Sequence, residues 1–221
     1  MYVFLMNIYV KGCLIIRNRS EGSICCGILT LFIGELMKKA IACFGDSLMY
    51  GFPFGKEQSW LTKVNEMNNN IIMLNYGECG ASCDDIFANM KNTVLAKEVK
   101  HIMFLGGAND IIQNRPQNFT LMDINKAARW ALEQHYNFGL VLLWFTAEPA
   151  LNEKIGNLRA KICEQFNNSC QLFDLQPAIG FTASELTAAY LDGVHPTLGT
   201  YTRLAEYAEP LIEVWLNGGQ T

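Results

Sequence analysis

From residue 39 onward the chain alternates between two kinds of pattern. Short, nearly continuous apolar runs end at glycine or a small polar residue. Longer stretches between them carry apolar residues three or four apart. Residues 39–44, 71–75, 99–105, 140–145 and 170–173 are of the first kind and predict strands. Residues 59–67, 82–97, 121–136, 151–166, 182–190 and 198–216 predict helices. On these helices Trp60, Leu61, Val64 and Met67 share one face, and Ile86, Met90 and Val94 another. Ile124 and Ala128, with Ala131 or Leu132, form a third.

Strands that are apolar on both faces belong to a parallel sheet covered by helices on each side. Five such strands with helices between them predict an α/β protein, a three-layer α/β/α sandwich. No repeat or linker interrupts residues 37–221, which read as a single domain.

Residues 1–36 do not join this pattern. They mix apolar and basic residues without a steady period. Lys11, Arg17 and Arg19 precede an apolar stretch at 24–33 that loosely resembles a signal segment, with no small-x-small site after it. Met37-Lys38-Lys39 looks like a bacterial start placed just before the first strand. Gly34-Glu35 could be encoded by a purine-rich ribosome-binding sequence. The expectation is a translated leader from an upstream start, with an export or anchor segment as the alternative. Pyrimidine-containing codons at 34 and 35 would remove the support for a leader.

Composition narrows the function. Of 221 residues, 50% are hydrophobic and 17% charged, and the net charge is −4, so the chain lacks the basic footprint of a nucleic-acid binder. No run of about 20 apolar residues predicts a membrane span. Eight cysteines occur without a CxxC pair or a second Cys/His pair to complete a zinc site. Free thiols in a reducing cytoplasm, with no metal and no cofactor, are the expectation.

The polar chemistry collects after the strands, where open α/β sheets bind ligands. The first strand is followed by Gly45-Asp46-Ser47-Leu48 and the second by Gly77-Glu78-Cys79-Gly80. The third is followed by Gly106-Gly107-Ala108-Asn109-Asp110. Asp192-Gly193-Val194-His195-Pro196 lies near the C-terminus. A serine hydroxyl needs a base to accept its proton. Of three histidines, His101 falls inside a strand and His135 at a helix end, whereas His195 sits in a loop three residues after Asp192. A tight turn there can bring the carboxylate onto the imidazole and fix its tautomer. The N–H groups of Ser47 and Gly80 and the amide of Asn109 are candidate oxyanion donors. Each loop alone reads equally well as turn chemistry; four in this order on one sheet edge point to acyl transfer. Gly-x-Ser-x-Gly, Gly-x-x-x-x-Gly-Lys and GxGxxG are all absent, which argues against an α/β-hydrolase elbow and a nucleotide site.

These residues resemble the SGNH hydrolases, also called GDSL-type lipases, esterases and acylhydrolases. Gly45-Asp46-Ser47-Leu48 matches the family's first block, Gly80 the glycine of the second, Gly107-Ala108-Asn109-Asp110 the third and Asp192-Gly193-Val194-His195-Pro196 the fifth. The resemblance implies a flavodoxin-like five-stranded parallel sheet of order 2-1-3-4-5. It implies Ser47 as nucleophile, His195 as base and Asp192 as its orienter, with Ser47, Gly80 and Asn109 forming the oxyanion hole. Where the family often has Asp-Thr after the second-block glycine, this chain has Ala81-Ser82.

The expected substrate is a small acyl ester, as for an esterase, lysophospholipase or thioesterase. Met49, Phe52, Glu148 and Val194 are the candidate substrate-binding residues. A carbohydrate O-acetylesterase on the same triad is the alternative within enzymes. A catalytically silent binding domain of this fold is the alternative outside them, and a flavodoxin-like flavin or nucleotide binder a more distant one.

Overall fold

The computed structural model describes residues 7–10, 13–16 and 38–219. The chain divides into two units, Met1–Lys38 and Lys39–Thr221. In the first, β1 (Asn7–Val10) pairs antiparallel with β2 (Cys13–Ile16), where the apolar pattern predicted no element. The rest of the expected 1–36 leader lies outside the described residues.

The second unit is built around five strands: β3 (Lys39–Gly45), β4 (Ile71–Gly77), β5 (His101–Leu105), β6 (Asn137–Val141) and β7 (Gln171–Phe173). All pair in parallel, in the order β4-β3-β5-β6-β7. Numbered within this unit, that is 2-1-3-4-5, as the resemblance implied. Ile41 to Phe44 and Ile102 to Leu105 are fully buried, which explains the unbroken apolar runs of the two central strands.

Eight α-helices follow: α1 (Ser47–Tyr50), α2 (Trp60–Met67), α3 (Cys83–Asn92), α4 (Ala108–Ile112), α5 (Gln117–Glu133), α6 (Pro149–Phe166), α7 (Ala183–Ala189) and α8 (Leu198–Leu216). Helix α2 packs with α8, while α3 packs with α5 and α5 with α6. Residues on these contacts, such as Val64, Met90, Ile124 and Leu204, are buried.

Three predicted elements shift, each for a physical reason. Helix α3 ends at Asn92 because Thr93 turns extended, so Val94 stands 95% exposed and does not join the inward face. On α5, Ala131 is the inward residue, and Leu132 points to solvent. Strand β6 begins at Asn137, three residues before the apolar run at 140–145. Its outer partner β7 is only three residues long, and the Leu142 N–H makes the last bond, to Phe173 O at 2.9 Å. Leu143 and Trp144 are buried beyond the end of the ladder, so their apolarity reports burial and not pairing.

Strand β3 has β4 on one side and β5 on the other. The carboxyl ends of β3 and β5 flank the place where the chain order reverses, which is where such sheets hold ligands.

Candidate active site

Gly45 ends β3, and Asp46 turns the chain into α1. One Asp46 carboxylate oxygen accepts from the Leu48 N–H at 2.9 Å, the N-cap bond that starts a helix. The cap places Ser47 in the first turn of α1, where its N–H has no partner within the helix. Gly51 closes this one-turn helix in a left-handed conformation and donates its N–H to Ser47 O at 3.0 Å.

The loop before α8 carries the other half. Asp192 accepts from the backbone N–H groups of Val194 at 3.0 Å and His195 at 2.8 Å through one oxygen. Its second oxygen lies 2.7 Å from His195 Nδ1. A carboxylate can only accept, so Nδ1 carries the proton and Nε2 presents a lone pair. That Nε2 lies 3.1 Å from Ser47 Oγ. The three side chains thus form one line, from a half-exposed carboxylate to a nearly buried hydroxyl. Burial tends to raise the Asp192 pKa, but hydrogen bonds from the His195 and Val194 backbone and from the imidazole outweigh it. The carboxyl is held below its ordinary value.

The expected oxyanion donors lie on two further loops. Gly107 adopts φ +111° and turns β5 into α4, which sets Asn109 one residue inside the helix. Asn109 Nδ2 donates to Ala81 O at 2.9 Å. An amide nitrogen carries two hydrogens, so this bond uses one of them. Gly80 sits exposed in the next loop at φ +81°, a conformation that costs a side-chain-bearing residue.

Ser82, after Ala81, opens α3. Ser82 caps α3 in a capping box with Asp85, and the carboxylates of Asp84 (2.7 Å) and Asp85 share its single hydroxyl hydrogen.

Asp110 ties the second and third loops together. Its side chain is fully buried and accepts from the Cys83 N–H at 2.9 Å, from Thr120 Oγ1 at 3.2 Å and from Arg115 at 2.7 Å. Arg115 reaches on to buried Asp123 at 2.6 Å. Burial works against the guanidinium charge, but the bonds to Asp110 and Asp123 outweigh it and hold Arg115 firmly protonated. Sequence reasoning did not find Arg115, since nothing local marks an arginine five residues after the third block. Among the described residues it is the only cation bonded to buried Asp110. Replacing it leaves Asp110 with the Cys83 and Thr120 bonds, and Asp123 with Lys126 alone at 2.8 Å. We expect Arg115→Met to lose about 3–5 kcal/mol of stability, read from the urea midpoint. A change under about 1 kcal/mol would show the network to be dispensable.

Asp46 is fully buried, and its other carboxylate oxygen has no partner. Burial, with a further push from nearby Asp110, raises its pKa to about 7, against the lowering effect of the Leu48 N–H. A raised folded pKa stabilises below the unfolded value, and that stability is lost as pH climbs through the folded one. The wild-type protein should lose stability between about pH 4 and 7 from this group. Asp46→Asn keeps a capping oxygen and should flatten that slope in urea melts. An unchanged slope would assign it to other groups.

The four candidate substrate residues fall in different places. Met49 is fully buried and offers no surface to a ligand. Phe52 lies beside His195, with ring centroids 4.6 Å apart, and its carbonyl accepts from Tyr201 Oη at 2.9 Å. Glu148 is exposed, and a Cβ at Gly193 would meet its Oε1 at 2.6 Å, so it rests against the His195 loop. Val194 lines a small apolar pocket with Leu48 and Ala108. His101 opens β5 at the far end of the sheet, against Trp215, and His135 is exposed after α5. Among the described residues, Cys43, Cys79, Cys83, Cys163 and Cys170 are free. No three His, Cys, Asp or Glu side chains among the described residues converge as a metal site.

Compared by sequence, the chain matches no protein-family model and no curated protein. Compared by structure, it matches solved proteins along nearly their whole length. A lipolytic G-D-S-L family protein from Desulfitobacterium hafniense DCB-2 aligns at TM-score 0.68 and 19% identity, covering 79% of this chain and 99% of that one. This is the fold of the SGNH (G-D-S-L) hydrolases. A G-D-S-L family member from Veillonella parvula aligns at TM-score 0.65 and 23% identity, over 80% of this chain and 98% of the other. The psychrotrophic esterase EstA of a Pseudoalteromonas species aligns at TM-score 0.67 and 16% identity, over 81% and 100%. In this chain Leu48, Ala108 and Val194, from three of the four loops, line one small pocket.

Proposed function

We propose that this chain is an SGNH-type serine hydrolase that cleaves acyl esters through an acyl-enzyme on Ser47. The observation that carries this reading is the continuous line Asp192–His195–Ser47, with each bond in hydrogen-bonding range and the imidazole tautomer fixed by the carboxylate. A binding domain has no need of that alignment. The Pseudoalteromonas esterase of the same fold is inhibited by monoethylphosphonate, which is consistent with chemistry at a nucleophile.

In the proposed cycle the Ser47 hydroxyl attacks the ester carbonyl as His195 Nε2 takes its proton. The tetrahedral oxyanion is held by the N–H groups of Ser47 and Gly80 and by the free amide hydrogen of Asn109. Imidazolium His195, steadied by Asp192, then protonates the leaving alcohol as the C–O bond breaks. Water attacks the acyl-enzyme by the same route and releases the acid. None of these steps calls on a cofactor. The partner is a small acyl ester. Among the described residues no helix is long and apolar enough to cross a membrane.

Asn109→Ala is expected to lower kcat on p-nitrophenyl butyrate by about 10²–10³ with KM little changed, because the amide serves the charge that develops only in the transition state. Loss of the Ala81 tie is a separate effect. Asn109→Asp, which places an acceptor against that carbonyl and against the oxyanion, should be at least as damaging. Near wild-type kcat in Asn109→Ala would remove Asn109 from the oxyanion hole.

A further inference from the structure

The loop that carries Asp192 and His195 closes on itself through the Leu191 N–H, which donates to His195 O at 2.9 Å. Residues 191–195 are exposed or half-buried, so packing alone holds them weakly. Residues 145–147, which run as irregular backbone beyond β6, grip this loop at two points. Phe145 O accepts from Tyr190 Oη just before the loop. The Ala147 N–H donates to Gly193 O, inside the loop, at 2.8 Å. The gripping segment lies past the last ladder bond of β6, made by the Leu142 N–H. Thr146 is buried there, and buried peptide groups need partners. One side chain in the first turn of α6 supplies both. Asn152 Oδ1 accepts from the Thr146 N–H at 2.8 Å, and Asn152 Nδ2 donates to Thr146 O at 2.8 Å. An N–H on one side and a carbonyl on the other fix which way the amide lies.

We propose that Asn152 is a positioning residue for the base. By fixing the Thr146 peptide it sets the flanking Phe145 carbonyl and Ala147 N–H, and through Gly193 it aims the His195 ring two residues on. Its amide is engaged by Thr146, so it acts on the reaction through backbone and not by touching substrate. The inference rests on the hydrolase reading above and adds to it a residue outside the four loops. His195 has two tasks in that reading. Its Nε2 takes the serine proton, then gives it to the departing alcohol oxygen. A ring aimed wrongly fails at both, and the second failure shows only when the leaving group needs a proton.

The test compares kcat/KM for p-nitrophenyl butyrate and ethyl butyrate on the full chain. p-Nitrophenolate leaves without a proton, whereas ethoxide needs one from His195. A misplacement of about 1 Å can cost about 10²-fold, so Asn152→Ala should lose about that much on ethyl butyrate and only about tenfold on the p-nitrophenyl ester. Asn152→Asp is isosteric, keeps the bond to the Thr146 N–H and turns an acceptor against Thr146 O. It should move the ratio of the two esters in the same direction. Circular dichroism and thermal melts report the folded fraction, whose loss lowers both esters equally. Equal losses on the two esters would overturn the inference and make Asn152 an anchor for the start of α6. Wild-type rates in both variants, or failure of both to fold, would overturn it as well. Each of these results leaves the hydrolase reading standing. No hydrolysis of either ester by the wild type, with no labelling of Ser47, would overturn both.

Discussion

Ser47→Ala is expected to lower turnover of p-nitrophenyl butyrate by about 10⁶-fold while the protein stays folded. A triad acts as a unit, and loss of its nucleophile typically costs about this much in kcat, leaving only what substrate binding and the oxyanion donors supply. The fold should survive because Asp46, not the serine hydroxyl, caps α1. The Ser47 Oγ bond is to His195, a side chain that is not part of the core. Alanine also favours the helical conformation at this position. Circular dichroism and a thermal melt separate the two effects. Full activity in a folded Ser47→Ala protein would move the chemistry elsewhere.

Asp192→Asn should cost about 10⁴-fold in kcat with KM little changed. The wild-type carboxylate accepts from Nδ1 and from two backbone N–H groups. An amide oxygen can keep the backbone bonds, which leaves its NH₂ facing Nδ1. That contact favours the tautomer protonated on Nε2, which cannot accept the serine proton. Because Asp192 is half exposed, the stability cost should be small. The same hydrogen bonds hold its carboxyl below the ordinary range. A depressed folded pKa contributes stability above about pH 4 that is lost as the solution is acidified further. Asp46 works in the opposite sense between about pH 4 and 7. Acid titrations of Asp192→Asn and Asp46→Asn should therefore deviate from wild type in different pH ranges.

Much of this site was legible because it lies in short contiguous blocks. The apolar runs ending at Gly45 and near Gly106 located the sheet edge, and the spacing of Asp192 and His195 marked a tight turn. Helices α1 and α4 escaped the pattern because four or five residues are too few to show a helical period. Arg115 escaped because its partners Asp110 and Asp123 meet it only once α4 and α5 are folded. Met49 and Val194 look alike in sequence, yet one is sealed beneath the nucleophile turn and the other lines the pocket. Leu143 after β6 and Ile155 on α6 line the same small pocket, a meeting that no local pattern encodes. Periodicity reports burial against a neighbour; it does not say which neighbour.

Labelling with a fluorophosphonate probe, followed by peptide mapping, tests the central claim most directly, because it asks for an activated nucleophile and needs no knowledge of the natural ester. The account predicts one phosphonylated residue, Ser47, with labelling abolished by Ser47→Ala and strongly slowed by Asp192→Asn. A folded protein that resists the probe at Ser47, or that is inactivated by labelling at another residue, would contradict it.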